Sequence, residues 1–149
     1  MPTIQLPTEF SELLKLLGAH DVQYLIVGGY AVAYHGYPRA TGDIDIWIER
    51  SNENAQRIVT ALREFGFDIP ALQPELFTQQ DQIVRMGHPP LRVAILMSAS
   101  GVEFAECYKD RVEDELNGVP AKLIGLECLK KNKRAAGRHK DWNDLEQLP

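Results

Sequence analysis

The chain has 149 residues, of which 44% are hydrophobic and 25% charged, a composition that suits one domain over residues 1–149 with its own core. No apolar stretch approaches the roughly 20 residues that cross a bilayer, so no membrane association is expected. The formal net charge of −5 excludes a protein that coats nucleic acid by electrostatics alone.

The N-terminal segment predicts a helix, a strand and a second helix. Thr8 is expected to be the N-cap of a packing helix that ends at Gly18. The short apolar run at 24–27 predicts a buried strand that stops in a turn at Gly28-Gly29. A short helix over residues 30–35 should follow this turn.

A break at 36–38 precedes the most regular part of the sequence. Residues 43–48 alternate with a period of two, which predicts a strand with Asp43 and Asp45 on one side. Trp47 lies on the same side, as a wall of a site or as a core residue. Ser51 is predicted to cap a long amphipathic helix whose last residue is about Phe65, with Gly66 as the residue that terminates it.

The second half predicts strands at 82–86 and 92–97, a hairpin around Asn117-Gly118, and helices at roughly 126–136 and 140–148. Strands and helices interleave, but the hairpin breaks strict βαβ alternation. The expected fold class is therefore α/β of the α+β kind, a mixed β-sheet with flanking helices.

Cys107 and Cys128 are too far apart in the sequence for a CxxC motif. Residues 1–6 contain no basic region followed by an apolar run, as a secretory signal would. Both observations predict a cytoplasmic protein with ordinary buried thiols.

Asp43 and Asp45 carry the chemistry that the sequence indicates. Two carboxylates on one face of a strand lie close enough to share ions, and they repel each other unless a cation intervenes. Mg²⁺ binds both carboxylate and phosphate oxygens, and two-metal sites hold ions about 3.5–4 Å apart around a transferred phosphoryl group. The pair predicts a Mg²⁺ site for phosphoryl or nucleotidyl transfer.

Gly28 and Gly29 let the backbone approach a ligand closely and place N–H groups at a helix start, where phosphate oxygens are stabilised. Arg39 and Thr41, upstream of the carboxylates, are predicted to contact the phosphates or the acceptor. Alone, a DxD is more often a solvated strand end and a double glycine is often a tight turn. The order of strand, glycines, arginine and DxD favours the functional interpretation.

These motifs resemble the minimal nucleotidyltransferases of the polymerase-β-like superfamily, and more narrowly the small bacterial group related to AbiEii-type toxins. The resemblance extends from Tyr24 to about Leu145. It rests on four runs, at 25–29, 35–41, 43–45 and 133–141. It implies that Gly28 and Gly29 hold a nucleoside triphosphate, that Asp43 and Asp45 bind Mg²⁺, and that Lys133 reaches the phosphates.

The family usually carries a third carboxylate on a later strand, in a motif like R-hydrophobic-D-hydrophobic-L. The matching stretch here is 92–96, and Ala94 takes the carboxylate position. In the family the third carboxylate completes the metal site and is a candidate base for the acceptor hydroxyl. Glu103 is the nearest downstream carboxylate, although a helix-start acid is its simpler interpretation.

Three functions fit these observations. The first is Mg²⁺-dependent transfer of a nucleoside monophosphate from NTP to a hydroxyl on RNA, protein or a small molecule. The second is a catalytically impaired nucleotide-binding protein or toxin–antitoxin component with a cognate antitoxin or other protein partner, which Ala94 favours. The third is an acidic structural or partner-binding domain in which the DxD is incidental.

Overall fold

The computed structural model describes residues 6–38, 41–88 and 91–149, without the side chain of His88. In chain order the elements are α1 (Thr8–Ala19), β1 (Tyr24–Val27), α2 (Gly28–Tyr34), β2 (Asp43–Ile48), α3 (Asn52–Phe65), a 3₁₀ helix (Pro74–Phe77), β3 (Ile83–His88), β4 (Leu91–Leu96), α4 (Phe104–Lys109), β5 (Val112–Leu116), β6 (Val119–Leu123), α5 (Leu126–Ala136) and α6 (His139–Gln147). Within the described ranges, no helix is long and apolar enough to cross a membrane.

The strands form one six-stranded sheet in the order β3-β4-β2-β1-β6-β5. β2 pairs with β4 in parallel and β1 pairs with β6 in parallel, whereas the other three pairings are antiparallel. The mixed sheet with flanking helices that the sequence predicts is therefore confirmed.

The two faces of β2 differ in chemistry because successive side chains point to opposite sides of the sheet. Ile44, Ile46 and Ile48 are fully buried in the larger core, which also contains apolar residues of α1 and α3. The other face carries Asp43, Asp45 and Trp47. Around Trp47 a smaller core includes Cys107 of α4 and Cys128 and Leu129 of α5.

A buried polar residue fastens α3 to the sheet. The Asn54 side chain, 1% exposed, accepts a hydrogen bond from Gln23 N (2.8 Å) and donates to Gln23 O (3.0 Å) and Glu49 O (2.9 Å). These backbone groups precede β1 and follow β2. Asn54 therefore fixes the relative position of the two strands that form the centre of the candidate site.

The helix ends confirm one prediction and correct two. Ser51 caps α3, because its Oγ accepts from Asn54 N at 3.1 Å. Thr8 is not an N-cap: it is the first helical residue, and Pro7 holds the N-cap position with the φ of −55° that its ring imposes. No turn separates β1 from α2, since α2 begins at Gly28, directly after Val27.

The 3₁₀ helix was not predicted, and α4 was anticipated only as a helix start at Glu103. α4 has only six residues, too few for a periodic apolar pattern to emerge. Elsewhere the predicted strands and helices agree with the observed ones within a few residues at each end.

Candidate active site

Asp43 and Asp45 lie on the same face of β2, as predicted, and each has a different environment. The carboxylate of Asp43 accepts two hydrogen bonds from Arg92 of β4, from Nε and from Nη2, both at 3.3 Å. Both side chains of this pair remain well exposed, at 37% for Asp43 and 44% for Arg92. Asp43 is thus an accessible carboxylate that forms an ion pair with one guanidinium group.

Burial raises the pKa of Asp45, and the charge of Asp43 raises it further. Three cations act in the opposite direction, namely Lys140, Lys133 and Arg85. The face around Asp45 therefore collects positive charge from α5, α6 and β3. A divalent cation would relieve the repulsion between the two carboxylates in the same way.

The junction of β1 and α2 approaches Asp45 so closely that only glycine fits. A Cβ on Gly28 would lie 2.1 Å from Asp45 Oδ2, and Gly28 has a φ of +68°. A Cβ on Gly29 would lie 2.9 Å from Thr41 Oγ1. Thr41 Oγ1 donates to Asp43 O at 3.2 Å. The structure thus brings together five of the predicted site residues; Arg39 lies outside the described residues.

Ala94 occupies the position next to Asp45. In the parallel pairing of β2 with β4, Asp43 is opposite Arg92 and Asp45 is opposite Ala94. The position at which the resemblance expects a third carboxylate therefore lies directly beside Asp45. Among the residues that the structure describes, no group of three or more histidine, cysteine or acidic side chains could hold a metal ion.

Lys133 is buried in an ion-pair cluster between α5 and α6. Its Nζ lies 3.2 Å from Asp141 Oδ1 and 3.0 Å from Asp144 Oδ2, and its side chain is only 5% exposed. Arg138 also binds Asp141, with Nε 2.8 Å from Oδ2. Burial alone would raise the pKa of Asp141, but hydrogen bonds from Arg138 and Lys133 outweigh it and hold that pKa below its ordinary value. Direct contact of Lys133 with phosphates stays a prediction.

A cleft of about 950 Å³ is lined by Trp47 and by residues at and after the end of β4, and neither Asp43 nor Asp45 lines it. Val27, the cross-strand partner of Asp45, lies in its wall beside Trp47. Trp47 packs edge-on against Phe104, with ring centroids 5.2 Å apart. Trp47 Nε1 is buried and has no hydrogen-bond partner within the described part of the chain. The cleft therefore has an aromatic wall, whereas the indole N–H of Trp47 is buried, with the whole residue only 1% exposed.

Acidic side chains line this cleft at Asp81, Glu103 and Glu106, and basic ones line it at Arg50 and Arg138. Glu103 directly precedes α4, and its side chain makes no capping hydrogen bond there. The sequence singled out Glu103 but could not place it beside Trp47, because no strand or helix period connects the two. Arg85 was missed as well, although its alternation with Val84 and Met86 puts it on the face opposite the larger core.

Comparison with known protein families gives one result. The sequence model of the family described as Aminoglycoside-2''-adenylyltransferase matches residues 9–122. A search of curated proteins found no match. The matched segment contains β1 to β5 and most of β6 and ends before α5. The result supports the nucleotidyltransferase superfamily, but it does not support the narrower AbiEii-type group.

Proposed function

The chain belongs to the aminoglycoside-2''-adenylyltransferase family, and on this premise we propose that it transfers a nucleoside monophosphate from an NTP to a hydroxyl group of a small molecule and releases pyrophosphate. The observation that carries the proposal is the approach of Gly28 to Asp45, where a Cβ would lie 2.1 Å from the carboxylate oxygen. Such an approach brings the β1–α2 backbone beside the carboxylate pair, where a phosphate would contact the backbone N–H groups and share a cation with the carboxylates.

The two carboxylates suit one Mg²⁺. This ion is usually bound by one or two carboxylates together with substrate phosphates, and it keeps several waters. Asp43 and Asp45 would supply the protein ligands, and Asp43 would keep its ion pair with Arg92. When bound, the ion would neutralise charge on the phosphate oxygens. Gly28, Gly29, Thr41 and, outside the described residues, Arg39 would position the triphosphate, so that catalysis rests on placement.

The acceptor would occupy the cleft beside Trp47. Its volume of about 950 Å³ falls within the range of small-molecule sites, which supports a small acceptor over RNA or protein. Trp47 and Phe104 would give the acceptor an aromatic wall. The acidic side chains of the cleft outnumber its two arginines, three to two, which would favour a cationic acceptor, as the family's name suggests.

Glu103 would act as the base that takes the proton of the acceptor hydroxyl. Ala94 cannot serve, because a methyl group carries no proton acceptor. Glu103 lines the cleft and its carboxylate is not used as a helix cap. A positioned base contributes about 10²–10⁴-fold to rate.

A second function is favoured by one observation, Ala94 opposite Asp45. Without a carboxylate there, the chain would bind nucleotide and turn over slowly or not at all. It would then act through a protein partner, such as a cognate antitoxin.

The test begins with calorimetric titration of each NTP with and without Mg²⁺. The Asp43→Asn, Asp45→Asn double variant should lose Mg²⁺-dependent binding, whereas Glu53→Gln, an exposed carboxylate change at the start of α3, should retain it. Equal binding by the double variant and the wild type would refute the carboxylate assignment.

Turnover is then measured with α-labelled ATP and a panel of aminoglycosides, followed by neutral sugars. Transfer of label to an acceptor by the wild type, with loss of that transfer in Glu103→Gln, supports the transferase function. Tight Mg²⁺-dependent binding without labelling of any acceptor supports the second function.

A further inference from the structure

Three residues form a row across the sheet beside the carboxylates. Asp45 of β2 is opposite Ala94 of β4, and Ala94 is opposite Arg85 of β3. Because cross-strand partners point to the same face, the three side chains stand side by side with the methyl group in the middle. Arg85 thus lies next to the position that holds a carboxylate in the related nucleotidyltransferases.

The surroundings of Arg85 agree with this placement. Arg85 is exposed, and within the described residues it forms no ion pair. Neighbouring strands lie about 4.8 Å apart, so two strand spacings separate the backbones of Arg85 and Asp45 by roughly 10 Å. An arginine side chain can cross most of that distance when only a methyl group lies between.

We propose that Arg85, reaching across Ala94, binds the triphosphate where a third carboxylate would hold a second metal ion, so that this site uses one divalent cation. The proposal rests on the proposed NTP site. Exchanging a carboxylate and a divalent ion for one guanidinium leaves the net charge of the site unchanged. The guanidinium is suited to this place because its donors bind two phosphate oxygens at once.

The backbone explains why Arg85 is available for this role. Val84 and Met86 pack against the larger core, so the period of two turns Arg85 toward the site face. β3 is an edge strand, which leaves the side chain open to solvent. A substitution at residue 85 should therefore leave the folded structure intact.

The first measurement counts metal ions. Mn²⁺ replaces Mg²⁺ in electron paramagnetic resonance titrations with a non-hydrolysable ATP analogue, and one bound Mn²⁺ per chain is expected. Two bound Mn²⁺ ions per chain would overturn the proposal.

The second measurement compares affinities for the ATP analogue by calorimetry. Arg85→Ala should weaken binding at least 10-fold, and Arg85→Lys should recover part of the loss. Arg57→Ala is the matched control, because Arg57 lies on α3, whose apolar side packs against the opposite face of the sheet. Equal affinities of Arg85→Ala and Arg57→Ala would also overturn the proposal.

A double variant tests the exchange itself. Ala94→Asp combined with Arg85→Ala should bind a second Mn²⁺ in the presence of the analogue, whereas Ala94→Asp alone should not, because Arg85 pairs with the new carboxylate. A second bound Mn²⁺ ion in both variants would contradict the role of Arg85.

Absence of nucleotide binding by the wild type in all conditions would refute the proposed NTP site, and this inference with it. Nucleotide binding that ignores Arg85 would refute this inference alone.

Discussion

Replacing Gly28 by alanine tests how tightly the β1–α2 junction and the carboxylate pair depend on each other. The new Cβ would lie 2.1 Å from Asp45 Oδ2, whereas ordinary contacts begin at 3.4 Å. The oxygen would have to retreat by about 1.3 Å, the difference between these distances. Misplacement of a reacting group by about 1 Å can cost about 10²-fold in rate, and a similar loss is expected in Mg²⁺-dependent nucleotide affinity.

The stability cost has two parts. An alanine at a φ of +68° pays about 1–2 kcal/mol for the left-handed backbone. Forcing the Asp45 side chain off its rotamer adds about 0.5–1.5 kcal/mol. Gly118→Ala is the matched control, because Gly118 has a φ of +77° and nothing within 4 Å of its added Cβ. Gly118→Ala should therefore show the backbone cost without the cost of displacing a neighbouring side chain.

Both variants are compared with the wild type by urea unfolding and by calorimetric titration of ATP with Mg²⁺. Gly28→Ala should lose about 1 kcal/mol more stability than Gly118→Ala and should lose nucleotide binding, which Gly118→Ala retains. If Gly28→Ala binds ATP like the wild type and is no less stable than Gly118→Ala, the close approach to Asp45 has no consequence and the reasoning is wrong.

Three further predictions concern buried polar groups. Lys133→Met removes the ammonium group that lies between two buried carboxylates of α6 and should lower the free energy of unfolding by about 3–5 kcal/mol in urea titrations. Asp45→Asn should raise the free energy of unfolding at pH 7, because the raised pKa of Asp45 means that its ionised form opposes folding. That gain should vanish as the pH falls below about 4, where the unfolded carboxyl is also protonated, and a constant gain would contradict it. Asn54→Ala should cost about 2–3 kcal/mol, because three backbone groups lose their partner, and an unchanged urea midpoint would refute this.

Local patterns predicted the strand that carries Asp43 and Asp45, because its period of two is strong and its alternate residues are isoleucines. They also predicted the α3 cap and the hairpin, where Asn117 and Gly118 both have the positive φ that a tight turn requires. These features depend on a few neighbouring residues, which a sequence displays directly.

The rest of the site depends on contacts between distant segments. Arg85 meets Ala94 and Asp45 only because β4 lies between β3 and β2, and strand order has no local signature. The burial of Lys133 was likewise hidden, since a basic helix segment usually faces solvent, and its partners come from the next helix. The cleft beside Trp47 joins loops separated by tens of residues.

The cluster around Lys133 makes α6 part of the charge balance of the site. Asp141 and Asp144, both on α6, neutralise a lysine on α5 that also acts on Asp45. A chain shortened after Gly137 would keep every atom of the DxD strand but release that lysine from both counter-ions. The freed cation would then compete with a divalent ion for Asp45, so metal affinities measured on such a fragment would describe a different site.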